Sequence, residues 1–277
     1  MTDKCRRGGT IIDGHVHLYK CFEIQKFLTA ASRNLHSAAQ RIAPGKKHSL
    51  VLMLTEGNRE DAFERLQGLA EGKRRSKQAP ANSWRVRRIP DDESALLATN
   101  EQEDDLLIIA GQQVISYEGL EILALATDQK IADNIPLSEL TQFIHQLRAI
   151  LVIPWGVGKW LGERGRIVKK FIESDIVGNI FLGDILGRPA FWPRSSIFHI
   201  ARSRGIQVLP GTDPLPLTSE ATRVGTCGFY LDHGVALDRP TEAVRELLNN
   251  NEIVVSPYLQ RESTWRFFRN QIRIRIR

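Results

Sequence analysis

Two histidines one residue apart close the first apolar run of the chain, in GTIIDGHVHLYK (9–20). Residues i and i+2 of a strand point to the same side, so the imidazoles of His15 and His17 project together and can offer nitrogen ligands to one divalent ion. A metal site needs at least one further ligand, and hydrolysis needs an open position for water. Asp213, in VLPGTDPLP (208–216), follows a late apolar run and a Gly-Thr pair. It is the residue expected to complete the site or to take a proton from the attacking water. Without such a partner, an HxH pair is an ordinary strand end whose rings bond locally.

Other polar residues end apolar runs. Glu56 follows SLVLMLT (49–55), Gln113 lies in LLIIAGQQVIS (106–116), Glu121 in LEILALAT (120–127), Trp155 in ILVIPWG (150–156) and Asp184 in GNIFLGD (178–184). In folds built from parallel strands the active site gathers at the C-terminal strand ends. The glycine-rich turn VIPWGVGKWLGERGR (152–166) carries Lys159; Ile153 and Trp160 exclude a Walker A loop. A turn feeding a helix N-terminus suits an anion, and equally serves as a structural turn. In FLGDILGRPAFWPR (181–194), Asp184 is a candidate ligand or general acid/base, and Arg188 can fork onto a phosphate or carboxylate. The same two residues can instead pair with each other. Trp155, Trp160 and Trp192 either wall the site or pack the core. Lys159 and Arg188 together point to a small anionic substrate, a phosphate ester or a carboxylate.

Apolar β-type runs alternate with helical patterns over 21–42, 58–73, 136–149, 164–174, 195–204 and 239–250. Pro136 with Ser138, and Pro240 with Thr241, mark two helix starts. The alternation, with no clear linker, predicts a single distorted (β/α)7–8 barrel over 1–277. A charged hairpin or insertion near 73–105 and an Arg-rich tail (266–277) accompany it. In that tail NQIRIRIR alternates Ile with Arg, which predicts an edge strand with one cationic face. The 277 residues are 42% hydrophobic and 25% charged, an ordinary globular composition. No run approaches the ~20 apolar residues of a membrane span, and no secretory signal opens the chain, so no membrane partner is expected. Cys5, Cys21 and Cys227 form no CxxC pair, which fits reduced thiols and a cytoplasmic location. The net charge of +6 suits anionic partners. The basic segments leave room for nucleic acid, but no helix-turn-helix, RNP or zinc-finger pattern points to it. Nothing sets an oligomeric state.

IIDGHVHLY (11–19) resembles the first-strand motif of the amidohydrolase superfamily and of the PHP (polymerase and histidinol phosphatase) family. LVLMLTEGN (50–58) resembles the second PHP motif, a strand ending Thr-Asp-His, with Glu56 and Gly57 at the last two positions. LLIIAGQQVIS and LEILALA resemble the third, a Gly-x-Glu followed by a His-bearing strand, with Gln113 and Glu121 at those positions. LVIPWG (151–156) resembles a later His-Pro strand, with Ile153 at the His. VLPGTDPL resembles Gly-Ser-Asp-x-His, keeping Asp213 and placing Leu215 at the final His. The similarity spans 9–215 and implies a metal-dependent hydrolase on an α/β barrel. It implies His15, His17 and Asp213 as metal ligands, with Glu56 and Glu121 as replacements, whereas Gln113, Ile153 and Leu215 cannot ligate strongly. The amidohydrolase pattern would add a Lys and two His; His145 and His199 both fall inside helical patterns. One divalent ion (Zn, Mn or Fe) is therefore expected rather than a trinuclear centre. The losses also raise a second reading, a degenerate relative that binds a ligand or partner without hydrolysis.

Overall fold

The computed structural model describes residues 8–71, 83–102, 104–174, 178–189, 191–259 and 262–276. The chain opens with β1 (Thr10–Val16), α1 (Ile24–Ile42), β2 (Ser49–Leu54) and α2 (Ala62–Ala70). Then come β3 (Arg85–Ile89), β4 (Asp92–Thr99), β5 (Asp105–Ile109), β6 (Gly111–Ile115), β7 (Glu121–Leu125), α3 (Leu137–Gln146), β8 (Ile150–Pro154) and α4 (Gly162–Glu173). The last third holds β9 (Ile180–Ile185), α5 (Ile197–Ser203), β10 (Val208–Gly211), β11 (Gly228–Leu231), α6 (Pro240–Asn249), β12 (Ser256–Tyr258) and α7 (Thr264–Arg275).

Six helices form where the apolar spacing predicts them. In α1, Phe27, Leu28, Ala31, Leu35, Ala38 and Ala39 recur on one stripe and are buried. Pro240 occupies the first turn of α6, where its missing N–H costs nothing. β1 and β2 are buried at every residue, as strands covered on both faces must be.

The strands do not close into the expected barrel. Among the described residues they form a seven-stranded sheet, ordered β12-β11-β1-β2-β5-β4-β3, and a five-stranded sheet, ordered β10-β9-β8-β7-β6. Two features account for this. The apolar run 106–116 is not one strand: it leaves one sheet at Ala110 and enters the other, so β5 and β6 belong to different sheets. Antiparallel strands then extend the larger sheet on both sides, β4 and β3 beyond β5, and β11 and β12 beyond β1. Within the segment expected as a charged hairpin or insertion, β4 buries Ala95, Leu96, Leu97 and Ala98; residues 73–82 of that segment lie outside the described residues, as does Cys5. The Arg-rich tail is also corrected: it forms α7 instead of an edge strand.

The outer strands of the small sheet meet the inner strands of the large one. The Asp213 N–H donates to the His15 carbonyl (2.8 Å), and the Glu56 N–H donates to the Gly111 carbonyl (3.0 Å). Glycines permit the first approach. A Cβ on Gly211 would overlap the His15 backbone nitrogen, and one on Gly14 would crowd the Pro210 carbonyl. No helix among the described residues is long and apolar enough to cross a membrane.

Gly211→Ala should therefore destabilise the protein by about 1–3 kcal/mol or more, the usual cost of overpacking. Gly68, in α2 with open space at its Cβ position, should accept Ala and gain up to about 1 kcal/mol. Urea denaturation of both variants measures the contrast; equal effects would show that the β1–β10 approach is not tight.

Candidate metal centre

His15 and His17 stand on and just past the end of β1, and Asp213 stands two residues past the end of β10. The bond between the Asp213 N–H and the His15 carbonyl ties the two strand ends together. It draws Asp213 into a left-handed backbone conformation (φ 43°), which Asp adopts more readily than most residues. His15 Nε2 lies 3.2 Å from His17 Nε2, and Asp213 Oδ1 lies 3.5 Å from the former and 3.7 Å from the latter. Four ligands around a tetrahedral ion at 2.0–2.1 Å stand about 3.3 Å apart. The observed triangle is close to one face of that figure.

Proton placement supports the same donor set. The His17 Nδ1–H donates to Glu60 Oε2 at 3.1 Å, leaving the Nε2 lone pair free. A carboxylate that fixes the tautomer in this way is the common outer partner of a metal-bound histidine. In the absence of a metal, the two Nε2 atoms 3.2 Å apart share one hydrogen, one ring donating to the other; an ion between them would take both lone pairs. Burial lowers the His15 pKa to about 4, against the pull of Asp213. Burial also works to lower the His17 pKa, but the bond to Glu60 and the charge of Asp213 outweigh it, and the pKa is raised. The Asp213 pKa is lowered: burial would raise it, and the charges of His15, His17 and Lys159 prevail. The His15 Nδ1 is buried, and the Gln113 side chain is the polar neighbour whose hydrogen bonding works to raise the pKa of this ring. Two imidazoles and a carboxylate suit Zn, Fe or Mn. Among the described residues this is the only group of three His, Cys, Asp or Glu side chains placed to hold a metal.

The other expected site residues lie elsewhere or have partners. Glu56 is outside the cluster: its carboxylate accepts from the Phe63 N–H in the first turn of α2 and pairs with Lys130 at 3.2 Å. It acts there as a helix cap. Glu121 is also outside the cluster and pairs closely with Lys159. Lys159 is near enough for its charge to act on His15 and Asp213. Asp184 and Arg188 form a two-point pair at 2.9 and 2.7 Å, both buried. Trp155 is buried in the core of the small sheet, edge-on to Trp192.

Two further side chains that the motifs did not single out border the cluster. Glu60, in the turn before α2, also accepts from the Gly57 N–H at 3.0 Å. Tyr19 stacks on His17 at 5.3 Å; its spacing from His17 repeats that of the histidines and was a legible signal. A cleft of about 310 Å³ opens beside them, lined by Tyr19, Lys20, Arg59, Glu60, Asp61 and Arg65 among others.

Glu60→Gln should weaken divalent-ion affinity by about 10–100-fold without unfolding the chain. Competition titration with a chromogenic chelator reads this directly. Unchanged affinity would mean that Glu60 does not orient a ligand.

No model of a known protein family matches the chain, and no curated protein matches it. Among solved structures, the fold is similar to PsfC from Pseudomonas syringae PB-5123, with a TM-score of 0.52 and 15% identity, covering 91% of this chain and 92% of that one. It is also similar to the lesion-specific endonuclease PfuEndoQ from Pyrococcus furiosus, with a TM-score of 0.51 and 12% identity. That match covers 89% of this chain and 57% of the endonuclease. At these identities the likeness is one of fold.

Proposed function

We propose that this chain is a metal-dependent hydrolase acting on a small anionic substrate, with a phosphate ester as the leading class. The observation that carries the reading is the triangle of His15, His17 and Asp213, whose spacing fits one ion. The similarity of fold to an endonuclease, which cleaves phosphodiesters, supports the same class of chemistry. A divalent ion in such a site acts as a Lewis acid, acidifying water and polarising the attacked centre.

The chain's own residues supply the rest. Glu60 holds the His17 ring in register. The half-buried Asp213 carboxylate, kept ionised by its cationic neighbours, is placed to take a proton from the attacking water. Lys159, beside the triad, balances the charge of an incoming anion, and Lys20, Arg59 and Arg65 add positive charge around the neighbouring cleft. Arg188 is buried and paired at two points with Asp184; among the described residues its Nη1 makes no hydrogen bond, and it would be the donor offered to a substrate.

A second reading, a non-catalytic relative that binds a ligand, draws on Ile153 and Leu215 at positions where the PHP pattern has His. It also draws on the commitment of Glu56 and Glu121 to other partners. Hydrolysis of bis-p-nitrophenyl phosphate and of p-nitrophenyl phosphate by the Mn- or Zn-loaded protein separates the two. The hydrolase reading expects turnover abolished by chelator and lowered about 10²–10⁴-fold in Asp213→Asn. Metal-loaded protein that turns over neither ester would favour the non-catalytic reading.

A further inference from the structure

The outward face of α7 is apolar. Trp265, Phe268, Ile272 and Ile276 recur at intervals of three or four residues and are 75, 51, 58 and 80% exposed. Phe191, 50% exposed, stacks on Phe268 at 5.9 Å and widens the stripe. Single exposed apolar side chains are ordinary; a contiguous row is the mark of an interaction surface. At 3.6 residues per turn, Arg266, Arg269 and Arg273 flank one side of the row and Arg275 the other. No acidic residue falls within α7.

The inward face holds the helix in place. Asn270, buried, donates to Glu220 Oε1 at 3.2 Å, and Phe267 packs edge-on against Phe191. Ser263 caps the first turn by accepting from the Arg266 N–H, and Arg266 reaches Glu262 at 4.0 Å. The stripe is thus preformed, and docking it costs no helix formation.

We infer that α7 docks the protein on an anionic lipid surface, the helix lying in the interface with its Trp-Phe-Ile-Ile row in the acyl boundary and its arginines at the headgroups. An apolar row bordered by Arg is the pattern of helices that lie on membranes without crossing them. The absence of a membrane-spanning helix among the described residues is compatible with this. Two other occupants fit less well. A second copy of α7 laid along this face would set Arg against Arg with no carboxylate between. A single-stranded nucleic acid would find no ring to stack on at Ile272 or Ile276.

Flotation of the full chain with phosphatidylcholine vesicles, with and without phosphatidylglycerol, tests this. The chain should float only with the anionic vesicles, more at low salt, and Trp265 emission should shift to the blue. Trp265→Ser/Phe268→Ser should weaken partition on the order of a hundredfold, and Arg273→Gln/Arg275→Gln by about thirtyfold. All four positions are exposed, so thermal melts should match the parent and show that the fold is kept. No flotation with anionic vesicles, or equal flotation of parent and variants, overturns the proposal. So does loss in these variants of dimerisation or of single-stranded DNA binding in a chain that ignores vesicles.

Discussion

The Asp13 carboxylate, buried in the middle of β1, sets the geometry on which the metal centre depends. It accepts from the Thr212 N–H at 2.7 Å, from the Thr212 hydroxyl, and from the Gly225 N–H at 2.8 Å. These donors belong to the segments that follow β10 and precede β11, so one side chain fastens an edge of the small sheet and a strand of the large one to β1. Burial pushes its pKa up to about 7, and those hydrogen bonds hold it from rising further. A buried carboxyl without such partners would be costly. With Thr212 held on Asp13, the next residue, Asp213, is placed opposite His15 and His17.

The site consists of a tight triangle inside a wider ring of charge. Glu60, Glu121 and Lys159 surround the ligands without belonging to them. Glu60 keeps the His17 tautomer, Lys159 offsets the carboxylates, and Glu121 restrains Lys159. Of the two carboxylates that the sequence pattern offers as ligands, Glu121 restrains Lys159 and Glu56 caps α2 outside the cluster.

Much of the site was legible in the sequence. His15 and His17 share a side because they are two apart at a strand end, and Asp213 was marked by Gly-Thr before it and an apolar run upstream. Glu60 was not, because its approach to His17 depends on how the turn after β2 folds back across 43 positions. The helices were legible from their apolar stripes. The closed barrel was not borne out, because βα alternation does not reveal that residues 106–116 break at Ala110, nor which strands run antiparallel. In the tail, Ile-Arg alternation reads as a strand over eight residues. The longer row of Trp265, Phe268, Ile272 and Ile276 has helical spacing, and the chain follows that longer pattern.

The central claim is that His15, His17 and Asp213 hold a divalent ion. Elemental analysis by plasma mass spectrometry, on protein purified without chelator, tests it most directly. The account predicts about one equivalent of Zn, Mn or Fe per chain, and its loss in His15→Ala/His17→Ala with the fold retained. A parent protein free of metal even after incubation with all three ions would contradict it, as would a double variant that keeps its ion.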